Sequence, residues 1–148
     1  MNRLFFTTPF LSGLFIISGI LLGAQSKAKS IPDLPEAVTS FGACKLGNFV
    51  YVYGGHVGEA HVYSKATHSR SFVRFNIKTG KKWEKLPFNQ SLQGLGMAAH
   101  KGKIYIAGGS QATNQKGKES NLSSLAEVAV FDVKTRKWSQ VTPLPEPR

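Results

Sequence analysis

Imidazole and carboxylate groups crowd one short stretch of this chain: His56, Glu59, His61 and His68 fall within residues 56–70, interleaved with Tyr63, Lys65 and Arg70. Such groups bind a transition metal when their spacing holds them on one centre. These gaps match no established ligand pattern, so no metal and no cofactor is expected. Polar side chains in a loop contact a ligand or stay solvated, which makes His56, Glu59, His61, Tyr63, His68 and Arg70 candidates for ligand binding. A second polar stretch, from residue 110 to about 125, adds Gln111 and Asn114, whose amides suit hydrogen bonds to sugars. A flexible, solvated loop is the plainer expectation there. No Ser/His/Asp triad, phosphate-binding glycine loop or pair of carboxylates is visible, so no catalytic residue is assigned. The single cysteine, Cys44, excludes an internal disulfide framework and cysteine-rich metal sites.

What positions those loops is a repeat. Val50-Tyr51-Val52-Tyr53-Gly54-Gly55 returns as Ile104-Tyr105-Ile106-Ala107-Gly108-Gly109, 54 residues later. Phe75-Asn76-Ile77-Lys78-Thr79 returns as Phe131-Asp132-Val133-Lys134-Thr135 after 56, and Trp83 as Trp138 after 55. Leu-Pro appears at Leu34-Pro35, Leu86-Pro87 and Leu144-Pro145. Each unit divides into four short strands: a near 41–46 and 96–100, b on the Val-Tyr or Ile-Tyr run, c over 71–77 and 126–133, and d carrying the tryptophan up to Leu-Pro. Strand b is apolar at consecutive positions, as a strand covered on both faces should be. Asn76 and Asp132 suit turns in which the side chain bonds its own backbone, with Gly80 helping the first turn and Arg136 in its place in the second. Proline then stops the ladder. Fold class is therefore all-β: two four-stranded antiparallel blades of a β-propeller, residues 41–92 and 93–148, behind a lead-in at 29–40.

The double glycine closing an aliphatic-aromatic strand, the aromatic-Asn/Asp-x-x-Thr turn and the following tryptophan resemble the kelch repeat over residues 34–148. The resemblance makes Gly54, Gly55, Phe75, Trp83, Gly108, Gly109, Phe131 and Trp138 structural positions. Phe75 and Phe131 stand where that pattern usually has tyrosine. It implies long b–c loops on a recognition face, and hence a non-catalytic scaffold binding protein or carbohydrate. The alternative it implies is the opening of an exported sugar-acting enzyme, like the family's copper-radical oxidase or its sialic-acid mutarotase. Cys44 lies in a predicted strand outside any recognisable copper motif, so the oxidase's crosslinked cysteine is not carried over to it.

Two features bear on partners and location. The net charge is +11, and the turns opposite the long loops gather Lys45, Lys78, Lys81, Lys82, Lys101, Lys103, Lys134, Arg136 and Lys137. That face suits an anionic partner; nucleic acid is not expected, because no aromatics interleave with the lysines. At the N-terminus, Arg3 precedes an apolar stretch over residues 10–24 and small residues follow. Residues 1–28 are expected to be a signal peptide cleaved after Ala24 or Ala28, giving an exported protein with no membrane span unless the leader is retained. Thr142 to Arg148 reads as the lead-in to a third unit. The expectation is a truncated propeller, or a subunit that closes a ring with its own copies, residues 31–35 adding a short outer strand to the last blade of the ring.

Overall fold

A computed structural model describes residues 30–148; the expected leader at 1–28 lies outside the described residues. Ten strands follow one another: β1 Gly42–Leu46, β2 Phe49–Tyr53, β3 Phe72–Asn76, β4 Glu84–Lys85, β5 Gly96–His100, β6 Lys103–Ala107, β7 Ser110–Ala112, β8 Leu122–Ser124, β9 Val128–Asp132 and β10 Lys137–Val141. They form two antiparallel sheets, β1-β2-β3-β4 and β5-β6-β9-β10, plus a hairpin of β7 and β8. Each sheet is one blade, with strands a to d in chain order. One 3-10 turn, Lys65–Thr67, is the only helical element among the described residues.

The register explains the packing. Tyr53 pairs with Phe72 and Tyr51 with Arg74, so these side chains share the front face of the first blade. Ile104 pairs with Phe131 and Ile106 with Ala129 on the back face of the second. These two faces meet: Tyr51, Tyr53, Phe72, Ile104, Ile106, Ala129 and Phe131 form one buried core with Leu86, Leu92 and Leu95. Phe72 meets Phe131 edge-on, with ring centroids 5.0 Å apart and planes at 85°. Such pairs contribute about 0.5–1.5 kcal/mol beyond the area they bury. Trp138 joins the seam, its ring 5.1 Å from Phe131, 5.5 Å from Phe72 and 5.6 Å from Tyr53.

The two turns between c and d form as their side chains dictate. Asn76 Oδ1 accepts from the backbone N–H of Lys78 and Thr79, both at 3.0 Å, and Asp132 Oδ1 accepts from Thr135 N–H at 2.8 Å. Arg136, where the shorter second turn lacks its glycine, takes a left-handed φ of 57°.

Two expectations need correction. Strand d of the first blade is only Glu84–Lys85, so Trp83 stands just before it, whereas Trp138 lies inside β10. The Leu-Pro alignment is also displaced. Trp138 Nε1–H donates to Pro87 O at 2.7 Å, and Trp83 Nε1–H donates to Pro32 O at 2.9 Å. Pro32, not Pro35, is thus the counterpart of Pro87. The lead-in is tied to the blades by the backbone bridge between Thr39 and His56, by the Trp83 bond to Pro32 O and by Ser69 Oγ–H, which donates to the Glu36 carboxylate.

The double glycine is the hinge of each blade. Gly55 N–H donates to Leu92 O at 2.8 Å, and Gly109 N–H to Arg148 O at 2.6 Å. A Cβ on Gly54, at φ +62°, would collide with Leu92 O, and one on Gly108, at φ +60°, would stand 2.7 Å from Arg148 O. Only glycine lets the connecting chain run that close.

Candidate functional site: the loop face

The b–c loops and the d–a connectors emerge at the same end of both blades. In the first loop, the 3-10 turn is held by Thr67 Oγ1, which accepts from Ser64 N–H at 2.9 Å and donates to Ser64 O at 3.1 Å. Val57 N–H donates to Thr67 O and Ser69 N–H to Gly55 O, both at 2.9 Å. His56 and His68 face each other across an antiparallel bridge. Both are buried, only 6% and 4% exposed, against the expectation of exposed loop residues. His56 Nε2 lies 3.0 Å from Glu59 O, and His68 Nδ1 3.1 Å from Ser64 O. A carbonyl oxygen only accepts, so each of those nitrogens carries the hydrogen. Their other ring nitrogens, His56 Nδ1 and His68 Nε2, are buried without a hydrogen-bond partner.

The second loop is ordered rather than merely solvated, through the β7–β8 hairpin. Asn114 then ties the two loops together. Its Nδ2 donates to Tyr63 O at 2.7 Å, and its backbone oxygen accepts from Lys65 N–H at 3.0 Å. Its Oδ1 accepts from Asn121 N–H at 3.0 Å. Asn114 is thus a strut between blades, a role its polar surroundings in sequence do not reveal.

Six of the eight candidates border three concavities. A cleft of about 370 Å³ is lined by Lys65, His68, Arg70, Ser91, Gln111, Ala112 and Thr113. It lies where both loops meet the connector, and Gln111 Nε2 donates to Ser91 O at 3.2 Å. His56, His61 and Tyr63 line a separate pocket of about 170 Å³ with Thr39, Ser40 and Ala60. Tyr63 stands edge-on to His56, centroids 5.2 Å apart. Arg70 also borders a third concavity of about 320 Å³ with Pro35, Glu36, Ser71, Phe72, Lys85 and Leu86. Glu59 is exposed and contributes its carbonyl rather than its carboxylate. Among the described residues, no group of three His, Cys, Asp or Glu side chains could hold a metal ion. Ser91 and Thr113 escape a reading of the sequence. The topological rule that d–a connectors share the loop face is the signal for Ser91.

On the opposite face, all nine expected cations are exposed. Arg136 is not free: its Nη2 lies 2.8 Å from Glu84 Oε1, while Arg74 Nε holds Glu84 Oε2 at 2.8 Å. The hydrogen bond from Arg74, then that from Arg136, holds the Glu84 carboxyl below the usual carboxylate range. Arg74 also stacks over Phe49, 4.5 Å from the ring centroid. At the seam, burial pushes the Cys44 thiol up to about 11.

Residues 92–145 match the family model described as the kelch motif. The chain is 30% identical over 142 residues to Kelch-like protein 25 of Xenopus tropicalis, covering 93% of this chain and 23% of that protein. It is 26% identical over 117 residues to Kelch-like protein 35 of Mus musculus, covering 78% and 17%. This is a kelch-repeat chain. A third relative, Kelch repeat and BTB domain-containing protein 2 of Ectromelia virus (strain Moscow), is 30% identical over 90 residues, covering 53% and 16%. The kelch chain spans less than a quarter of the length of these relatives. The motif match falls on the second blade, and the first repeats its hydrogen bonds: Thr39 and His56 exchange backbone bonds as Gln93 and Ser110 do.

Proposed function

We propose that this kelch chain is a non-catalytic scaffold that binds a partner protein through its loop face. The observation that carries the reading is the strut at Asn114, which joins the loops of both blades into one preformed surface. A surface ordered before binding loses less conformational freedom when the partner arrives, and rigid scaffolds presenting loops are where recognition concentrates. The test is a photo-activatable side chain placed in the full chain at Gln111, or at Lys81 on the turn face. Partner adducts at Gln111 but not at Lys81 support the reading; adducts at Lys81 alone contradict it.

A second surface is favoured by its charge. Nine exposed cations crowd the turns, while Glu84 is already engaged by Arg74 and Arg136. This face attracts an anionic partner by long-range electrostatics. Its attraction weakens with salt, since charges more than about 8 Å apart are largely screened at physiological ionic strength. Retention on a sulfated polysaccharide matrix that is insensitive to salt would contradict it. Export, through the leader expected at residues 1–28, belongs to the same proposal. N-terminal sequencing of the protein recovered outside the cytoplasm tests it, with Gln25 or Lys29 expected first.

A further inference from the structure

The cleft at the meeting of the two loops has a chemical bias of its own. Lys65 and Arg70 supply two cations, and no carboxylate lines the cleft. Neither cation makes an ion pair or side-chain hydrogen bond among the described residues. His68 also lines it, 4% exposed, with Nε2 buried and unpartnered. A buried polar atom left without a partner is unfavourable, so the cleft holds an unmet hydrogen-bonding group. The lining holds no Trp, Tyr or Phe ring on which a sugar face would stack.

Resting on the loop-face reading above, we propose that this cleft receives a carboxylate, presented by an acidic side chain of the partner protein. Arg70 and Lys65 meet its charge, and Gln111 and Ser91 border it. The tautomer of His68 adds a condition. Its Nδ1–H is committed to Ser64 O, so the neutral ring offers only a lone pair at Nε2. A carboxylate is an acceptor too, so it bonds Nε2 only when that nitrogen gains a proton. Carboxylate capture is therefore coupled to proton uptake and strengthens on acidification. The charged groups facing the ring from the cleft are Lys65 on the 3-10 turn and Arg70 on the same loop. The connector and β7 contribute only the neutral Ser91, Gln111, Ala112 and Thr113. His56 stands across the bridge, and Glu36 borders Arg70 on its far side.

The experiment uses the full chain and three probes: a synthetic glutamate-rich peptide, its glutamine counterpart and a glucuronate oligosaccharide. The glutamate peptide is expected to bind at least tenfold more tightly than the glutamine peptide, roughly the worth of one charge-assisted hydrogen bond. Arg70→Gln should erase most of that preference. His68→Asn, whose amide keeps a donor for Ser64 O, should remove the gain in affinity on acidification. Should that variant fail to fold, calorimetry of the unaltered chain in two buffers of different ionisation enthalpy reads the proton uptake directly. Equal binding of the two peptides, an unmoved preference in Arg70→Gln, or absence of proton uptake overturns the proposal. Tighter binding of the oligosaccharide overturns the protein source. If the peptides bind equally yet partner adducts persist at Gln111, only the carboxylate assignment falls. If the adducts move to Lys81, the loop-face reading falls with it.

Discussion

Replacing Trp138 by alanine should destabilise the chain well beyond the same change at Trp83, although the two occupy equivalent places in the repeat. A buried tryptophan cut to alanine costs about 3–5 kcal/mol. Trp138 is half-buried, yet it touches Phe131, Phe72 and Tyr53 and donates to Pro87 O. Roughly 2–4 kcal/mol is therefore expected, against about 5–15 kcal/mol for a whole domain. Trp83 has one aromatic neighbour, Phe75 at 5.4 Å, and its bond to Pro32 O. About 1–2 kcal/mol follows for it. Urea unfolding followed by circular dichroism separates the cases. With a slope of roughly 1–1.5 kcal/mol per molar, the Trp138→Ala midpoint should fall by about 1.3–4 M and the Trp83→Ala midpoint by about half as much. Trp138→Phe keeps a ring in the seam and loses the bond to Pro87, so about 1 kcal/mol of the loss should persist. Equal midpoints for the two alanine variants would refute the reasoning, because they would mean the blades do not share this seam.

Gly54→Ala should cost about 2–3 kcal/mol, combining left-handed strain of about 1–2 kcal/mol with the displaced Leu92 carbonyl. Gly47→Ala, at φ +59° with nothing within 4 Å, should cost only the strain; equal losses in thermal melts would remove the close approach from the account. Glu84→Gln should cost about 1 kcal/mol at neutral pH, since Glu84 and Arg136 are exposed and only Arg74 is mostly buried. Because the folded carboxyl titrates low, the stability it adds is present above the ordinary carboxylate range and is lost as pH falls through its depressed value. The variant and the unaltered chain should therefore converge in acid, and a gap that widens there would contradict the ion pair. Cys44, with its thiol raised to about 11, should alkylate at pH 8 on the order of a hundredfold more slowly than an ordinary thiol, quickening about tenfold per pH unit; rapid labelling of the folded chain would place it outside the seam.

Local chemistry makes most of the blades readable. The consecutive apolar run in strand b, the Asn76 and Asp132 turns and the glycine pairs each have a reason that lies within a few residues. What misleads is long-range. Matching Leu34-Pro35 to Leu86-Pro87 by composition displaces the lead-in, although the shared Trp-to-Pro interval of 51 residues holds the answer. Trp83 falls outside strand d because the first c–d turn is one residue longer and Pro87 ends pairing soon after. His56 and His68 look like solvated loop residues until their rings find the carbonyls of Glu59 and Ser64 and a backbone bridge buries them. Nothing local in the second loop marks Asn114 as the partner of Tyr63, 51 residues away.

The central claim is that the loop face is preformed by ties between the blades, and backbone hydrogen exchange of the full chain tests it directly. Lys65 N–H, bonded to Asn114 O, together with Asn121, Ser69 and Leu125, should exchange nearly as slowly as the amides of β2 and β6. Asn114→Ala removes the side-chain acceptor of Asn121 N–H and should release that amide while leaving those strands protected. Loop amides that exchange freely in the unaltered chain, beside protected strands, would contradict the account: the blades would stand, but without a binding surface built in advance.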